Sequence, residues 1–248
     1  TVQVSRGPAA GMIAIKHLGT NGGGWFGTNS AHPLENPNYF TNMLEMVMQV
    51  IIPVALIFAL GFYINRRKFA KVIFGIMTIG LLCLAIPTII TEVNGKEVRF
   101  GPAASAYWSI VTTIISTGSV NSMHDSSMPV SGMMQLLGMM VNAFYGGCGV
   151  GILNYLIYII IAVFISGLMV GRTPEFMGHK VEAREVKIAA FVTLLSAFLI
   201  KGFTALAAYM VAHHPDIAWQ VKPGAWLNNP SYHGFSEMLY EYTSANAN

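Results

Sequence analysis

The sequence predicts an all-α polytopic membrane protein, and three observations carry that prediction. Of its 248 residues 54% are hydrophobic and only 10% charged, against about 25% charged in a typical soluble domain. Mean hydropathy is +0.54, so the chain cannot cover itself with a polar surface. The apolar residues also fall in long charge-free runs, and the cations gather in two short loops between them.

The elements follow in order. Residues 8–18 form a short apolar segment, about 16 Å long as a helix and too short to cross a bilayer. Residues 46–64 are 19 uncharged residues and residues 72–91 are 20; 20 helical residues reach roughly 30 Å, a full hydrocarbon core. Residues 102–116 are a second short segment, about 22 Å long. Residues 126–171 hold 46 uncharged residues, enough for one span plus a buried or re-entrant piece. A last span runs over 188–212, interrupted only by Lys201, and 234–242 is a short amphipathic segment. Arg66, Arg67, Lys68 and Lys71 precede the second run, and Arg172, Lys180, Arg184 and Lys187 precede the last. Together they are 8 of the 14 Lys and Arg. The positive-inside rule puts both loops in the cytoplasm, so the 92–150 region lies toward the outside. Such basic loops read as topology signals, not as nucleic-acid sites. Cys83 and Cys148 sit in apolar stretches and read as small packing residues.

A repeat emerges when the segments are aligned. Gly7-Pro8-Ala9-Ala10 recurs 94 residues later as Gly101-Pro102-Ala103-Ala104, with proline where the first turn of a helix accepts it. Each copy opens a short helix that ends in a polar turn: Thr20-Asn21-Gly22-Gly23-Gly24 in one, Ser116-Thr117-Gly118-Ser119 in the other. Each turn leads to a histidine, His32 or His124. Residues 234–242 run into Thr243-Ser244-Ala245-Asn246-Ala247-Asn248 as a third copy. Half-helices of this kind dip into a membrane and leave their C-terminal ends at its centre.

Turns so placed suit a cation pathway. A cation at membrane depth needs oxygens in place of its water, and backbone carbonyls supply them where side chains are small. Glycine allows the φ/ψ required, Thr and Ser add hydroxyl oxygens, and the negative end of a half-helix adds a favourable field. On spacing alone, an ordinary exposed loop explains Gly22-Gly23-Gly24 as well. A phosphate loop does not, because no strand precedes Thr20 and no Gly-Lys-Ser/Thr follows.

Longer motifs carry a resemblance. Leu18-Gly19-Thr20-Asn21-Gly22-Gly23-Gly24-Trp25-Phe26 and Asn29-Ser30-Ala31-His32-Pro33-Leu34-Glu35-Asn36-Pro37 resemble the second filter region of the potassium-binding A subunit of the Kdp potassium-transporting ATPase family. Ser122-Met123-His124-Asp125 resembles the stretch after its third filter. Gly167-Leu168-Met169-Val170-Gly171-Arg172-Thr173-Pro174-Glu175-Phe176 resembles a cytoplasmic loop, and Tyr240-Glu241-Tyr242-Thr243-Ser244-Ala245 the approach to a fourth filter. The resemblance implies channel-like repeats of span, re-entrant pore helix, filter loop and span. Residues 1–65 would be the second repeat from its pore helix onward, 66–171 the third, 172–187 a cytoplasmic loop and 188–248 the start of the fourth.

The resemblance also implies a potassium-selecting subunit of an ATP-driven uptake complex in the bacterial plasma (inner) membrane, with the potassium ion as its cargo. Its partners would be a P-type ATPase catalytic subunit, small accessory membrane subunits and the lipid bilayer; no ATP-site motif occurs in this chain. The filter role carries over to Thr20, Asn21, Gly22, Gly23, Thr117, Gly118 and Ser119, with carboxamide oxygens from Asn29 and Asn248. A symporter of the related superfamily is the neighbouring alternative. A membrane enzyme using His124, Asp125 and His213 is a more distant one.

Four further features need a reading. Gly146-Gly147-Cys148-Gly149-Val150-Gly151 packs a helix closely or breaks it below the filter as a gate; four glycines in six residues make a poor helix, which favours the break. Lys16 is an intramembrane cation that repels or positions ions near the filter, whereas Lys201 snorkels to an interface. Trp25, Tyr107 and Trp108 suit the outer interface or a cuff around the pore. The methionines of 133–140 are lipid or core packing.

Overall fold

The structure, a computed structural model, describes residues 9–93, 99–213, 229 and 231–247. Gly7, Pro8 and Asn248 lie outside them. The chain divides into two compact units, Thr1–Asn154 and Tyr155–Asn248. Among the described residues there are eight α-helices and one two-stranded hairpin. Four helices are long and apolar enough to cross a membrane: α2 (Tyr39–Tyr63), α3 (Arg67–Glu92), α6 (Val150–Val170) and α7 (Ala183–His213). The others are α1 (Ala9–Leu18), α4 (Pro102–Ile114), α5 (Pro129–Val141) and α8 (Ser231–Ala247). The chain is a multi-pass, all-α membrane protein.

Helix α2 shows why these residues fold as they do. Asn38 caps it through a reciprocal pair, its side chain accepting from Thr41 N while Thr41 Oγ1 accepts from Asn38 N, which satisfies otherwise orphaned donors. Its buried stripe is Asn42, Glu45, Gln49, Pro53, Ile57 and Gly61, spaced by three and four as one helical face requires. Phe40, Val47 and Ile51 are exposed on the other faces. The polar N-terminal half of the stripe faces protein, and the exposed sides are apolar, as a span in lipid, which offers no hydrogen bonds, requires. A tight hairpin joins α2 to α3: Asn65 is left-handed at φ +59°, and the Gly61 backbone presses on Ala70 so closely that a β-carbon would overlap it.

Helix α4 is the centre of the first unit. Ser105, Ala106 and every residue from Trp108 to Ile114 are buried, and the helix packs on α2, α3 and α5. It is a half-length helix packed against the full-length α2 and α3 and the equally short α5. Helix α1 packs on α2, and its buried residues are Lys16 and His17 in its last turn. Between α5 and α6 the chain leaves the helix. Asn142, Tyr145, Gly147 and Gly149 all take positive φ, Asn142 O accepts from Asn154 Nδ2 at 3.0 Å, and the Tyr145 hydroxyl bonds Thr78 Oγ1. The break favoured by the glycine content is formed.

In the second unit α7 packs on α8 around buried Ala207 and Met238. The hairpin pairs β1 (Glu175–Phe176) with β2 (His179–Lys180). The third copy of the repeat departs from expectation. Helix α8 continues through Thr243 to Ala247, and Thr243 Oγ1 donates to Leu239 O at 2.6 Å. Lys201 is exposed, as a snorkelling lysine requires.

Candidate functional site: two polar turns backed by a buried ion pair

The C-terminal ends of α1 and α4 lead into turns of the same backbone pattern. Thr20 is left-handed at φ +51° and Gly22 at +65°; Ser116 is left-handed at +58° and Gly118 at +75°. Left-handed residues therefore fall at matching positions, 20 and 22 against 116 and 118, so Asn21 aligns with Thr117; the first turn adds a third at Gly23, φ +88°. Alternation of left-handed with ordinary residues turns successive carbonyls toward one side. It also places two β-branched or hydroxyl side chains, Thr20 and Ser116, in a region non-glycine residues avoid, and such strain clusters at functional sites. Thr117 N donates to Thr112 O at 2.9 Å, and Gly22 N donates to Lys16 O at 3.3 Å. Each turn is thus anchored on the last carbonyls of its own half-helix.

The turns meet through backbone. A β-carbon on Gly22 would overlap the Thr117 carbonyl oxygen and lie 3.1 Å from the Gly118 carbonyl carbon. Thr117 is fully buried, and its Oγ1 has no hydrogen-bond partner among the described residues. Asn21 Nδ2 donates to Gly22 O at 3.2 Å. Below the turns, Cys148 N donates to Thr20 Oγ1 at 3.2 Å, and a β-carbon on Gly147 would lie 3.3 Å from Ile115 O. The helix break therefore touches both turns. Of its glycines, Gly146 and Gly151 press backbone to backbone, while Gly149, at φ +111°, opens onto free space.

Side chains hold the turns from behind. His17 Nδ1 donates to Ile13 O at 2.7 Å, and its Nε2 lies 2.9 Å from Ser119 Oγ and 3.4 Å from Glu45 Oε2. Ser30 Oγ donates to Glu45 Oε2 at 2.6 Å. Trp108, fully buried, donates its indole N–H to Ser119 O at 2.8 Å and meets His17 edge to face. Trp108 belongs to a cuff around the turns and not to the outer interface. The Arg99 guanidinium donates to Asn36 O and Ala31 O, each at 3.0 Å, tying the 29–36 strap to the segment that leads into α4. Trp108→Phe keeps the ring and removes the donor. It leaves Ser119 O buried without its partner, a loss of about 1–3 kcal/mol, and a lower thermal midpoint of the detergent-solubilised protein is the measurement.

The sequence-predicted residues divide accordingly. Thr20, Asn21, Gly22, Gly23, Thr117 and Gly118 lie on the two adjoining turns. Ser119 has both its oxygens engaged by the cuff. The Asn29 carboxamide oxygen accepts from the Lys16 ammonium at 3.1 Å, so a protein cation occupies the group expected to meet the ion. Asn248 lies outside the described residues. Ser116, which the sequence reading left out of the filter residues, is the positional equivalent of Thr20. His124 and Asp125 sit on a short turn in the first unit, while His213 ends α7 and stacks on Tyr209. Among the described residues no group of three or more His, Cys, Asp or Glu is arranged to hold a metal.

Fold and site together define a multi-pass membrane protein in which repeated half-helices bring glycine-bearing turns into backbone contact. The whole chain, residues 1–248, matches the family described as KdpA, Potassium-transporting ATPase A subunit, and the chain belongs to that family. It is similar to proteins named potassium-transporting ATPase potassium-binding subunit. The one from Flavobacterium johnsoniae is 66% identical, covering 100% of this chain and 47% of that protein. The one from Phocaeicola vulgatus is 57% identical (100% and 46%), and that from Caldanaerobacter subterraneus subsp. tengcongensis is 42% identical (98% and 45%). The chain spans about half the length of these curated relatives.

Proposed function

We propose that this chain forms part of the potassium-selecting pathway of an ATP-driven uptake complex in the bacterial plasma membrane. Potassium is the cargo. A P-type ATPase subunit and small accessory membrane subunits are the partners. The turns at 20–23 and 116–118 act as two walls of a filter in which backbone carbonyls replace the ion's water. The observation that carries this reading is the pair of left-handed residues at matching positions, 20 and 22 against 116 and 118, in two turns that touch. The carbonyls of Thr20, Asn21, Gly22, Gly23, Ser116, Thr117 and Gly118 are the proposed ligands, with Ser119 and Asn29 as holders of the turns. The C-terminal ends of α1 and α4 add about half a negative charge each. Gly146, Gly147, Gly149 and Gly151 form the proposed gate, because the segment they shape lies directly against Thr20 and Ile115.

A pair of substitutions in the full-length subunit, assembled in its complex, tests the filter. Thr117→Val removes only an unpartnered buried hydroxyl, and apparent potassium affinity in potassium-stimulated ATP hydrolysis stays within about threefold. Gly118→Ala asks a residue with a β-carbon to hold φ +75°, a cost of roughly 1–3 kcal/mol that weakens affinity about tenfold or more. A Gly118→Ala complex of unchanged affinity contradicts the assignment.

A further inference from the structure

Two side chains behind the turn at 20–24 are charged, buried and unused by a carbonyl filter. Lys16 is 3% exposed and Glu35 likewise 3%. Lys16 Nζ donates to Glu35 Oε2 at 2.5 Å and to Asn29 Oδ1 at 3.1 Å, and Glu35 Oε1 accepts from Phe26 N at 2.8 Å. A β-carbon on Gly24 would come within 3.0 Å of Glu35 Oε1 and 2.8 Å of Asn29 Cα. One limb of the turn is therefore fixed by Lys16 through its own carbonyl, which accepts from Gly22 N. The other limb is wedged at Gly24 and Phe26 against the carboxylate that Lys16 holds. The same lysine grips both limbs.

Taking two charges out of water is expensive, and an apolar pair of similar volume is often as stable or more so. A buried pair at such a place is better explained by geometry and charge than by stability. We propose that Lys16 and Glu35 form a charge-neutral strut that sets the spacing of the turn at 20–24 and so its preference among alkali cations. They are positioning residues, and the inference rests on the filter reading above. Neutrality matters as much as shape. The pair stands beside the negative end of α1, where an unpaired ammonium would repel the cargo and an unpaired carboxylate would attract cations without discrimination.

The test uses the full-length subunit in its assembled complex and measures half-saturating K⁺ and Rb⁺ for stimulation of ATP hydrolysis. Glu35→Gln keeps the shape and strands the ammonium, and it raises half-saturating K⁺ about tenfold or more. Lys16→Met strands the carboxylate, and the Rb⁺-to-K⁺ ratio falls about fivefold. Lys16→Arg keeps the charge but changes the shape of the cation, and its ratio lies between those of Lys16→Met and the unaltered complex. The double variant Lys16→Met/Glu35→Gln has no buried charge and lies nearer the unaltered complex in K⁺ affinity than either single variant, the non-additivity of an interacting pair. Unaltered affinity and ratio in both single variants, or a double variant that equals their sum, overturns the strut. So does failure of all four variants to assemble, since that marks a role in folding alone. Gly22→Ala is the control: if it too leaves affinity unchanged, the filter reading fails along with the strut, whereas a Gly22→Ala defect beside silent strut variants removes the strut alone.

Discussion

Gly22→Ala is expected to separate the two turns and cost the site most of its potassium affinity. Two penalties coincide there. Alanine must adopt φ +65°, and its β-carbon must enter space occupied by the Thr117 carbonyl oxygen. The obstacle is backbone on both sides, so no side-chain rotation relieves it. The strain alone is worth roughly 1–3 kcal/mol, and displacing Thr117 disturbs the neighbouring wall as well. A loss of about a hundredfold in apparent affinity is the expected outcome. Gly23→Ala is the matched comparison. Gly23 is also left-handed, at φ +88°, but a β-carbon there meets nothing within 4 Å, so its effect is the smaller of the two. Equal affinities in the two variants would contradict the closeness of the turns.

Gly151→Ala is expected to act on rate more than on binding. A β-carbon at Gly151 would lie 2.5 Å from Gly146 N and 2.6 Å from the Tyr145 carbonyl carbon. Alanine favours helix over glycine by about 1 kcal/mol, but overpacking against fixed backbone costs typically 1–3 kcal/mol, and the break must open to accept it. That shift passes to Gly147 and Cys148, which lie against Thr20 and Ile115. Transport turnover is expected to fall about tenfold, while half-saturating potassium changes by less than about threefold. Equal losses in turnover and affinity would count against a gate at this position.

The spans were legible because lipid makes a severe demand: each crossing segment is a long apolar run, and the charge-free runs located all four. Their edges were less legible for a physical reason. A charge-free criterion begins the first span at Met46, yet α2 begins at Tyr39. Glu45 lies inside it because its carboxylate turns inward to Ser30 and not to lipid. Likewise α3 starts at Arg67, where cations at a helix end reach the interface. The two half-helices and their turns were legible from the Gly-Pro-Ala-Ala repeat and the glycines that follow. Ser116 was placed in the second turn but left out of the filter residues, because a left-handed serine has no compositional signal; alignment with Thr20 reveals it. The partnership of Lys16 with Glu35 joins residues 19 positions apart across a turn whose path no periodicity predicts. Asn29 was legible as a polar group near the turn, but its direction, toward Lys16, was not. At Thr243 the pattern of the repeat suggested a turn, and local helix geometry prevailed.

The central claim is that carbonyls of the two adjoining turns bind the transported ion. Anomalous diffraction from crystals of the full-length subunit, assembled and soaked in rubidium as a potassium substitute, tests it most directly. The account predicts a rubidium peak between the turns, within ligand distance of carbonyl oxygens from both 20–23 and 116–118, and its loss in Gly22→Ala. A peak elsewhere in a transport-competent complex, with none touching these turns, would contradict it.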